Sequence, residues 1–271
     1  TTEIYTLSLH DALPIWEGDL VICEKDGSTM IYIPAGVFTM GSEREGHIFA
    51  EGPEHEITLD PYLIDECPVT WYQYTLFCDE TNRQKPVKPC WEIDESQPVV
   101  NVSWEDANAY AEWAGKSLCT EAQWEKAAKG GTYLDGDDLS QEKNPCPDRK
   151  FPWGHEEPGE GGNYRCIFKD EPVYGNKSTG PVGATPAGGS PYGCQDMSGN
   201  VWEWCQDWFK RDYYKESPKD DPKGPPDGTD KVLRGGSWCR ESKQLNVSFR
   251  TKDAPSNGGW DLSGFRCVKN G

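Results

Sequence analysis

The sequence predicts an α+β domain in which short strands and a few helices are joined by long ordered loops. Among the 271 residues, 29 Gly and 21 Pro favour turns and loops over a helical bundle. The 12 Trp, 12 Tyr and 8 Phe residues each bury a large area, which offsets a hydrophobic content of only 35%. Because there is no internal repeat and no clean linker, we expect residues 17–271 to form a single domain.

The first sixteen residues stand apart from the rest of the chain. Residues 3–15 resemble translated sequencing-adapter read-through, so we predict that residues 1–16 are a non-native or disordered lead-in. An ordinary helical or extended start is the alternative. These residues also lack the basic start and the continuous apolar stretch of a signal peptide, so no signal peptide is visible.

Strand patterns dominate the first third of the domain. Residues 30–42 contain two β-type runs separated by Pro34-Ala-Gly36, which predicts a hairpin. Residues 55–65 alternate apolar and polar side chains, as a strand does. The next segment predicts a helix that opens near Thr70 and carries aromatic side chains on one side.

Two further helices are predicted from their terminal residues. One begins after Ser103 and ends at Gly115, and the other begins after Thr120 and ends at Gly130. In both, an Asp or Gln three residues after the capping Ser or Thr completes the pattern of an N-terminal capping box. Their inner faces are expected to be core.

Loops and short strands are expected in the second half. Residues 132–189 read as a long loop region, which is uncommon unless disulfides, ions or function hold it. An aromatic strand then reaches Trp208. A strand-like run at 231–234 enters Gly235-Gly236, and the chain closes on a short apolar strand at 264–268.

The charge of the chain restricts its partners. A net charge of −19 argues against nucleic acid and against anionic membrane surfaces, because both need clustered Lys and Arg. No apolar run is long enough to cross a membrane, so membrane insertion is not expected. A protein or peptide ligand, in particular a basic peptide, or a divalent cation fits this acidity better; the alternative is that the acidity only keeps the protein soluble.

Eleven cysteines are too many for inert packing in a cytosolic protein of this size. Because no Cys-x-x-Cys is present, disulfides in an oxidising compartment are the better account, which predicts a periplasmic or secreted location. The odd count leaves at least one thiol free. Cys194 with Cys205, or Cys146 with Cys166, could pair, and the sequence does not choose between them.

Eight motifs in order carry a resemblance to a known family: 33–41 (IPAGVFTMG), 98–104 (PVVNVSW), 113–116 (WAGK), 120–125 (TEAQWE), 151–154 (FPWG), 199–204 (GNVWEW), 234–238 (RGGSW) and 264–267 (GFRC). Together they strongly resemble the formylglycine-generating enzyme, or sulfatase-modifying factor, family. The match covers roughly Met30 to Asn270. The resemblance implies a large variant of the C-type lectin fold with little regular secondary structure.

The resemblance also implies bound calcium (Ca2+). In the family, the ligand run of one calcium site falls on Asp196, Gly199, Val201 and Glu203, where two carboxylates and two carbonyls would supply hard oxygen ligands. The alternative is a turn with a solvated Asp and Glu. A second family site would begin at Asn163, but its remaining side chains have no match here.

The enzymes of the family use two cysteines to hold copper (Cu) and activate oxygen against a substrate cysteine. Cys239 resembles the first of these two cysteines, and Ser237 lies two residues before it. The second should lie within 242–247, which reads Ser-Lys-Gln-Leu-Asn-Val and contains no thiol. Cys267 resembles a structural cysteine of the family, for which Cys119 is an available partner.

The leading hypothesis is therefore a calcium-stabilised, catalytically divergent member that acts as a binding or accessory module. Its predicted ligand surface consists of aromatic, amide and charged side chains near the C-terminus: Trp238, Arg240, Glu241, Lys243, Gln244, Asn246, Phe249, Arg250, Asn257 and Trp260. One alternative is a copper-dependent oxidase that converts a peptidyl cysteine to formylglycine with Cys239 and Ser237. Another is a diversified receptor of lectin type.

Overall fold

The computed structural model describes residues 4–7, 20–43, 50–137, 139–258 and 260–271. Most of the predicted lead-in, residues 1–16, lies outside this part of the chain, so its non-native origin stays a prediction. Twelve strands are present there: β1 Ile4–Leu7, β2 Leu20–Cys23, β3 Thr29–Ile33, β4 Gly36–Met40, β5 His55–Leu59, β6 Tyr62–Asp65, β7 Ser117–Leu118, β8 Trp202–Trp208, β9 Lys231–Arg234, β10 Arg250–Asp253, β11 Ser263–Gly264 and β12 Cys267–Asn270.

These strands form three sheets. The largest has the order β1-β2-β3-β6-β12-β7, the second has the order β10-β9-β8-β11, and the third is the pair β4-β5. The C-terminal strand β12 lies inside the largest sheet, antiparallel to both β6 and β7. The end of the chain is therefore joined to strands that come some two hundred and some one hundred and fifty residues earlier.

The hairpin predicted at residues 30–42 is wrong. β3 pairs with β6 and β4 pairs with β5, so the chain leaves one sheet and enters another at Pro34-Ala-Gly36. Gly36 has a φ of +138°, which suits a sharp change of direction between sheets. The predicted strand at 55–65 is likewise two strands, β5 and β6, separated at Asp60-Pro61.

The predicted helices are confirmed with their caps. They are α1 Trp71–Thr81, α2 Trp104–Trp113 and α3 Glu121–Lys129. Each begins with a complete capping box, in which Thr70, Ser103 and Thr120 accept from the backbone N–H three residues later. None of the helices in the described part of the chain is both long and apolar enough to cross a bilayer.

Helix α3 is buried on every side, including its charged residues. Arg234 of β9 lies between Glu121 and Glu125, with N–O distances of 2.9 and 2.6 Å. Arg250 of β10 forms a second ion pair with Glu121, at 2.5 Å. These pairs fix α3 against the four-stranded sheet, and β9 in turn leads directly into the C-terminal segment.

A second buried ion cluster surrounds Lys116, which lies just before β7. Its ammonium group contacts Asp26 at 2.8 Å and Asp65 at 2.7 Å, and all three side chains are essentially inaccessible to solvent. The Asp65 carboxylate also accepts from the backbone N–H of Cys267. The cluster therefore joins the N-terminal strands to the C-terminal strand.

The predicted disulfides are not formed. All eleven cysteines lie among the described residues, and each is a free thiol. Seven of them are buried, which is compatible with packing as small apolar side chains. The periplasmic or secreted location was predicted from disulfides and stays a prediction.

Candidate functional site

Two glycines position the C-terminal segment, which we define as residues 237–247. Gly235 and Gly236 follow β9 with φ values of +93° and +82°. A Cβ atom on Gly236 would lie 2.4 Å from the side chain of Leu245, so only glycine allows the segment to fold back this closely. The conformation of the segment is therefore built into the backbone.

Backbone hydrogen bonds hold the segment between two loops. The N–H of Trp238 donates to the carbonyl of Asn200 at 2.9 Å, and the carbonyl of Trp238 accepts from Asn176 at 3.0 Å. The carbonyl of Arg240 accepts from the N–H of Lys169 at 3.1 Å. Cys239 lies between these anchors and is half-buried.

The neighbourhood of Cys239 does not fit a two-thiolate copper site. Its sulfur lies 3.8 Å from the hydroxyl of Ser237, which is itself buried. Positions 242–247, where the resemblance places the second thiol, begin with a 3-10 turn at Ser242–Gln244 and contain no sulfur. A hydroxyl is a hard donor and does not replace a thiolate toward Cu(I).

Four buried thiols elsewhere in the fold hold their protons more tightly than a free thiol does. Burial raises the pKa of Cys166, Cys205 and Cys267 well above the usual range of a thiol, and raises the pKa of Cys194 to about 11. Binding of a metal ion by any of these thiols would require the loss of this proton. Cys267 also lies in β12 opposite Leu118, inside the largest sheet.

Glu203, one of the predicted calcium ligands, takes part in a buried ion pair. Its two carboxylate oxygens accept from Arg266 at 2.7 and 2.8 Å, and one of them also accepts from the Trp124 indole N–H at 2.8 Å. This buried ion pair connects β8 to the C-terminus. Glu203 is therefore the structural partner of Arg266, and its role as a calcium ligand stays a prediction.

Among the other predicted calcium ligands, only Asp196 has a carboxylate. Asp196 is buried, and its Oδ2 accepts from the N–H of Gly183 and from the Asn200 amide. Burial raises the pKa of Asp196. Calcium at Asp196 and the carbonyls of Gly199 and Val201 stays a prediction. Asn163 is exposed at the end of a short 3-10 turn.

The predicted ligand surface divides into exposed and buried residues. Phe249 and Arg250 are 5% and 1% exposed, so their prediction as ligand-binding residues is wrong. Phe249 packs on Trp202, and Arg250 is the buried partner of Glu121. The backbone changes from loop to strand here, which turns both side chains into the core.

The remaining predicted residues lie on or near the surface. Glu241, Lys243 and Trp260 are exposed; Trp238, Arg240, Gln244, Asn246 and Asn257 are intermediate. The Asn246 amide is occupied locally, because it donates to the Lys243 carbonyl and accepts from Ser248. Exposed ion pairs join Glu241 to Lys243 and to Lys169.

Tryptophans form the apolar part of this surface. The Trp238 indole N–H donates to the Asp261 carbonyl at 3.0 Å, which places Trp238 against the turn that follows Trp260. Trp91 packs edge-on against Trp238 with ring centroids 5.4 Å apart. Trp260 remains 49% exposed. The sequence singled out Trp238 and Trp260 but did not predict that Trp91 would join them.

A cavity of about 760 Å³ lies elsewhere in the fold, between β5, the start of α3 and the C-terminus. Asp60, Gln123, Gln206 and Asn270 are among its lining residues. None of the residues predicted for ligand binding lines it. Nothing in the sequence indicated this cavity, because its walls come from strands, a helix and loops that are distant along the chain.

Comparison with known proteins identifies the family. Residues 21–271 match the family model of the sulfatase-modifying factor enzyme 1-like domain. The chain belongs to the sulfatase-modifying factor family. This result confirms the resemblance carried by the eight sequence motifs.

Relatives of this family cover nearly the whole chain. The formylglycine-generating enzyme of Streptomyces coelicolor is 34% identical over 296 residues, which is 89% of this chain and 88% of that protein. The formylglycine-generating enzyme of Thermomonospora curvata is also 34% identical, over 88% of this chain and 92% of that protein. The structure of PvdO from Pseudomonas aeruginosa matches with a TM-score of 0.76 at 27% identity, covering 94% of this chain and 99% of that one. The fold is thus the sulfatase-modifying factor variant of the C-type lectin fold.

Proposed function

We propose that this protein is a catalytically divergent member of the sulfatase-modifying factor family that binds a protein or peptide through a surface formed by its C-terminal segment and Trp260. The observation that carries the proposal is the single thiol of that segment. Cys239 has the Ser237 hydroxyl as its neighbour, and no sulfur occurs at residues 242–247. One thiolate does not supply the two soft ligands of a linear Cu(I) site.

The surface around Trp238 supports a recognition role. Trp238 is fixed by backbone hydrogen bonds, by its indole contact to the Asp261 carbonyl and by Trp91. Trp260 is half-exposed beside this turn, and Glu241 and Lys243 provide exposed charges. Exposed aromatic side chains on a rigid backbone, with charged groups around them, are typical of the residues that dominate binding energies.

Peptide binding should depend on Trp260. The probe is a labelled peptide with the pattern Ser-x-Pro-x-Arg, in which Ser replaces the cysteine that family enzymes oxidise and Arg suits the net charge of −19. Fluorescence anisotropy should show saturable binding, weakened about tenfold or more in Trp260→Ala, because truncating an aromatic anchor costs on the order of 2 kcal/mol.

The matched control is Tyr72→Ala, which removes a comparably exposed aromatic ring, 59% accessible, from α1. It should leave the affinity unchanged. Equal affinities for the wild type and Trp260→Ala, or no binding of the peptide at all, would contradict peptide recognition by this surface.

The second candidate function is the copper-dependent oxidation of a peptidyl cysteine with Cys239 and Ser237. It is favoured by the relatives, since proteins named formylglycine-generating enzyme are 34% identical over most of the chain. It is disfavoured by the donor set at Cys239. Formation of an aldehyde on a cysteine peptide distinguishes the two functions.

A further inference from the structure

Three side chains of different chemistry converge in the long loop region between α3 and β8. The sulfur of Cys146 lies 3.4 Å from Nε2 of His155, and Oδ1 of Asp148 lies 3.6 Å from the same nitrogen. The three candidate ligand atoms all lie within 4.8 Å of one another. None of these residues belongs to the C-terminal segment, so the cluster is independent of the proposed function.

The arrangement does not resemble a catalytic relay. In a nucleophile–histidine–carboxylate triad, the nucleophile and the carboxylate occupy different nitrogens of the imidazole ring, so that one group orients the ring while the other exchanges a proton. Here Cys146 and Asp148 both approach Nε2 of His155. Three groups that point toward one position are better suited to share a cation than to pass a proton along a line.

The separations agree with the geometry of a zinc site. With a zinc–sulfur bond of about 2.3 Å and zinc–nitrogen or zinc–oxygen bonds of about 2.0–2.2 Å, tetrahedral angles place neighbouring ligand atoms about 3.4–3.6 Å apart. The observed contacts of His155 with Cys146 and Asp148 are 3.4 and 3.6 Å. A small movement of the exposed Asp148 side chain would bring the third distance, between its carboxylate oxygen and the Cys146 sulfur, into the same range.

A buried arginine joins the two limbs of the loop that carry these ligands, which we define as residues 144–148 and 151–155. The Arg149 guanidinium donates to the carbonyl of Cys146 at 3.0 Å and to the carbonyl of Pro152 at 2.8 Å. It also donates to Asn144 Oδ1, which accepts the backbone N–H of Cys146. Arg149 and Asn144 are 7% and 3% exposed. The backbone that presents the ligands is therefore fixed before any ion arrives.

The limb that leads to His155 is fixed in a similar way. Phe151 and Gly154 exchange backbone hydrogen bonds of 2.8 and 3.0 Å across a tight turn. Phe151 is completely buried and stacks on Trp153 with ring centroids 5.0 Å apart. His155 follows this turn directly, so its Cα position is determined by packed core residues.

We propose that Cys146, Asp148 and His155 bind a divalent transition-metal ion of the zinc class, with a fourth position open to solvent. A thiolate, an imidazole and a carboxylate form a ligand set that zinc prefers, whereas calcium and magnesium prefer oxygen alone. The His155 and Asp148 side chains are 54% and 75% exposed, so an ion can enter without unfolding the loop. The bound ion would cross-link the two limbs of a region with little regular secondary structure.

Cobalt(II) is the probe for this site, because it substitutes for zinc and is coloured. The full chain, stripped with a chelator and kept reduced, should bind one equivalent of Co2+ with a thiolate-to-cobalt charge-transfer band and the visible bands of a tetrahedral ion. Added Zn2+ should displace it. Cys146→Ser should abolish the charge-transfer band, and His155→Ala should weaken Co2+ binding by at least about 100-fold.

Cys90→Ser is the matched control, since Cys90 is an exposed cysteine in another loop, and it should leave the spectrum unchanged. A second measurement is the melting temperature, which Zn2+ should raise in the wild type and in Cys90→Ser but not in His155→Ala. No charge-transfer band in the wild type, or a band that survives both Cys146→Ser and His155→Ala, would overturn the proposal. A band lost in Cys90→Ser would also overturn it, because the ion would then be held elsewhere.

Discussion

Replacing Arg234 with Met is expected to lower the free energy of unfolding by about 3–5 kcal/mol, because it removes one partner of a fully buried ion cluster. Burial acts against the charge of Arg234, yet the Glu125 carboxylate and its neighbours outweigh this effect and raise the pKa of Arg234 well above its usual range. Without Arg234, Glu125 would keep the cation of Lys129, at the longer distance of 3.5 Å, and the backbone N–H of Gly41 at 2.7 Å. The loss is measured by chemical denaturation at neutral pH.

Arg83→Met is the matched control for this change. Arg83 contacts Asp106 at 2.7 Å, but both side chains are about one-third exposed, at 36% and 35%. Water screens such a pair, so its loss should cost no more than about 1 kcal/mol. If both variants lost the same stability, the buried cluster would not be what holds α3 against the sheet.

Glu203→Gln is expected to lower the free energy of unfolding by about 3 kcal/mol or more, equally with and without calcium in the buffer. The substitution leaves Arg266 buried without its carboxylate partner, although a carbonyl oxygen remains for Trp124. Burial acts against the charge of Arg266, while Glu203 outweighs it and raises the pKa of Arg266 above its usual range. Denaturation curves recorded with a chelator and with added Ca2+ provide the comparison.

This pair of curves separates two roles for the same residue. A structural partner of Arg266 gives the same loss in both buffers. A calcium ligand would give a loss that is seen mainly when Ca2+ is present, because only then would the wild type gain stability from the ion. A calcium-dependent loss would therefore contradict the assignment of Glu203 to Arg266.

Local features of the fold could be predicted from the sequence. The three capping boxes involve residues only three positions apart, so the signal and the structure occupy the same few residues. Strand pairing is different, because β3 pairs with β6 and not with its neighbour β4. A turn signal such as Pro34-Ala-Gly36 marks a change of direction but does not say which strand comes next to which.

The burial of charged side chains was the main feature that the sequence did not predict. The charged residues of α3 look solvent-facing in sequence, but their partners Arg234 and Arg250 come more than one hundred residues later. Arg250 was assigned to the surface for the same reason. The Cys146–His155 cluster also escaped prediction, since its two best ligands lie nine positions apart in an irregular loop. Helical or strand spacing offers no guide in such a loop.

The candidate site itself was predicted in outline. The motifs located Cys239 and the absence of a second thiol at 242–247, both of which are properties of the sequence. The structure adds the Ser237 neighbour, the glycine-determined backbone and the tryptophan contacts. These depend on loops far away in the chain and could not be read from spacing.

The most direct test of the central claim is mass spectrometry of a Cys-x-Pro-x-Arg peptide incubated with the reduced wild-type protein, Cu(I) and oxygen. Because residues 242–247 contain no thiol to join Cys239, we expect the peptide cysteine to remain unchanged. Formation of the aldehyde, and its loss in Cys239→Ala, would show an oxidase and contradict the assignment of this protein as a binding module.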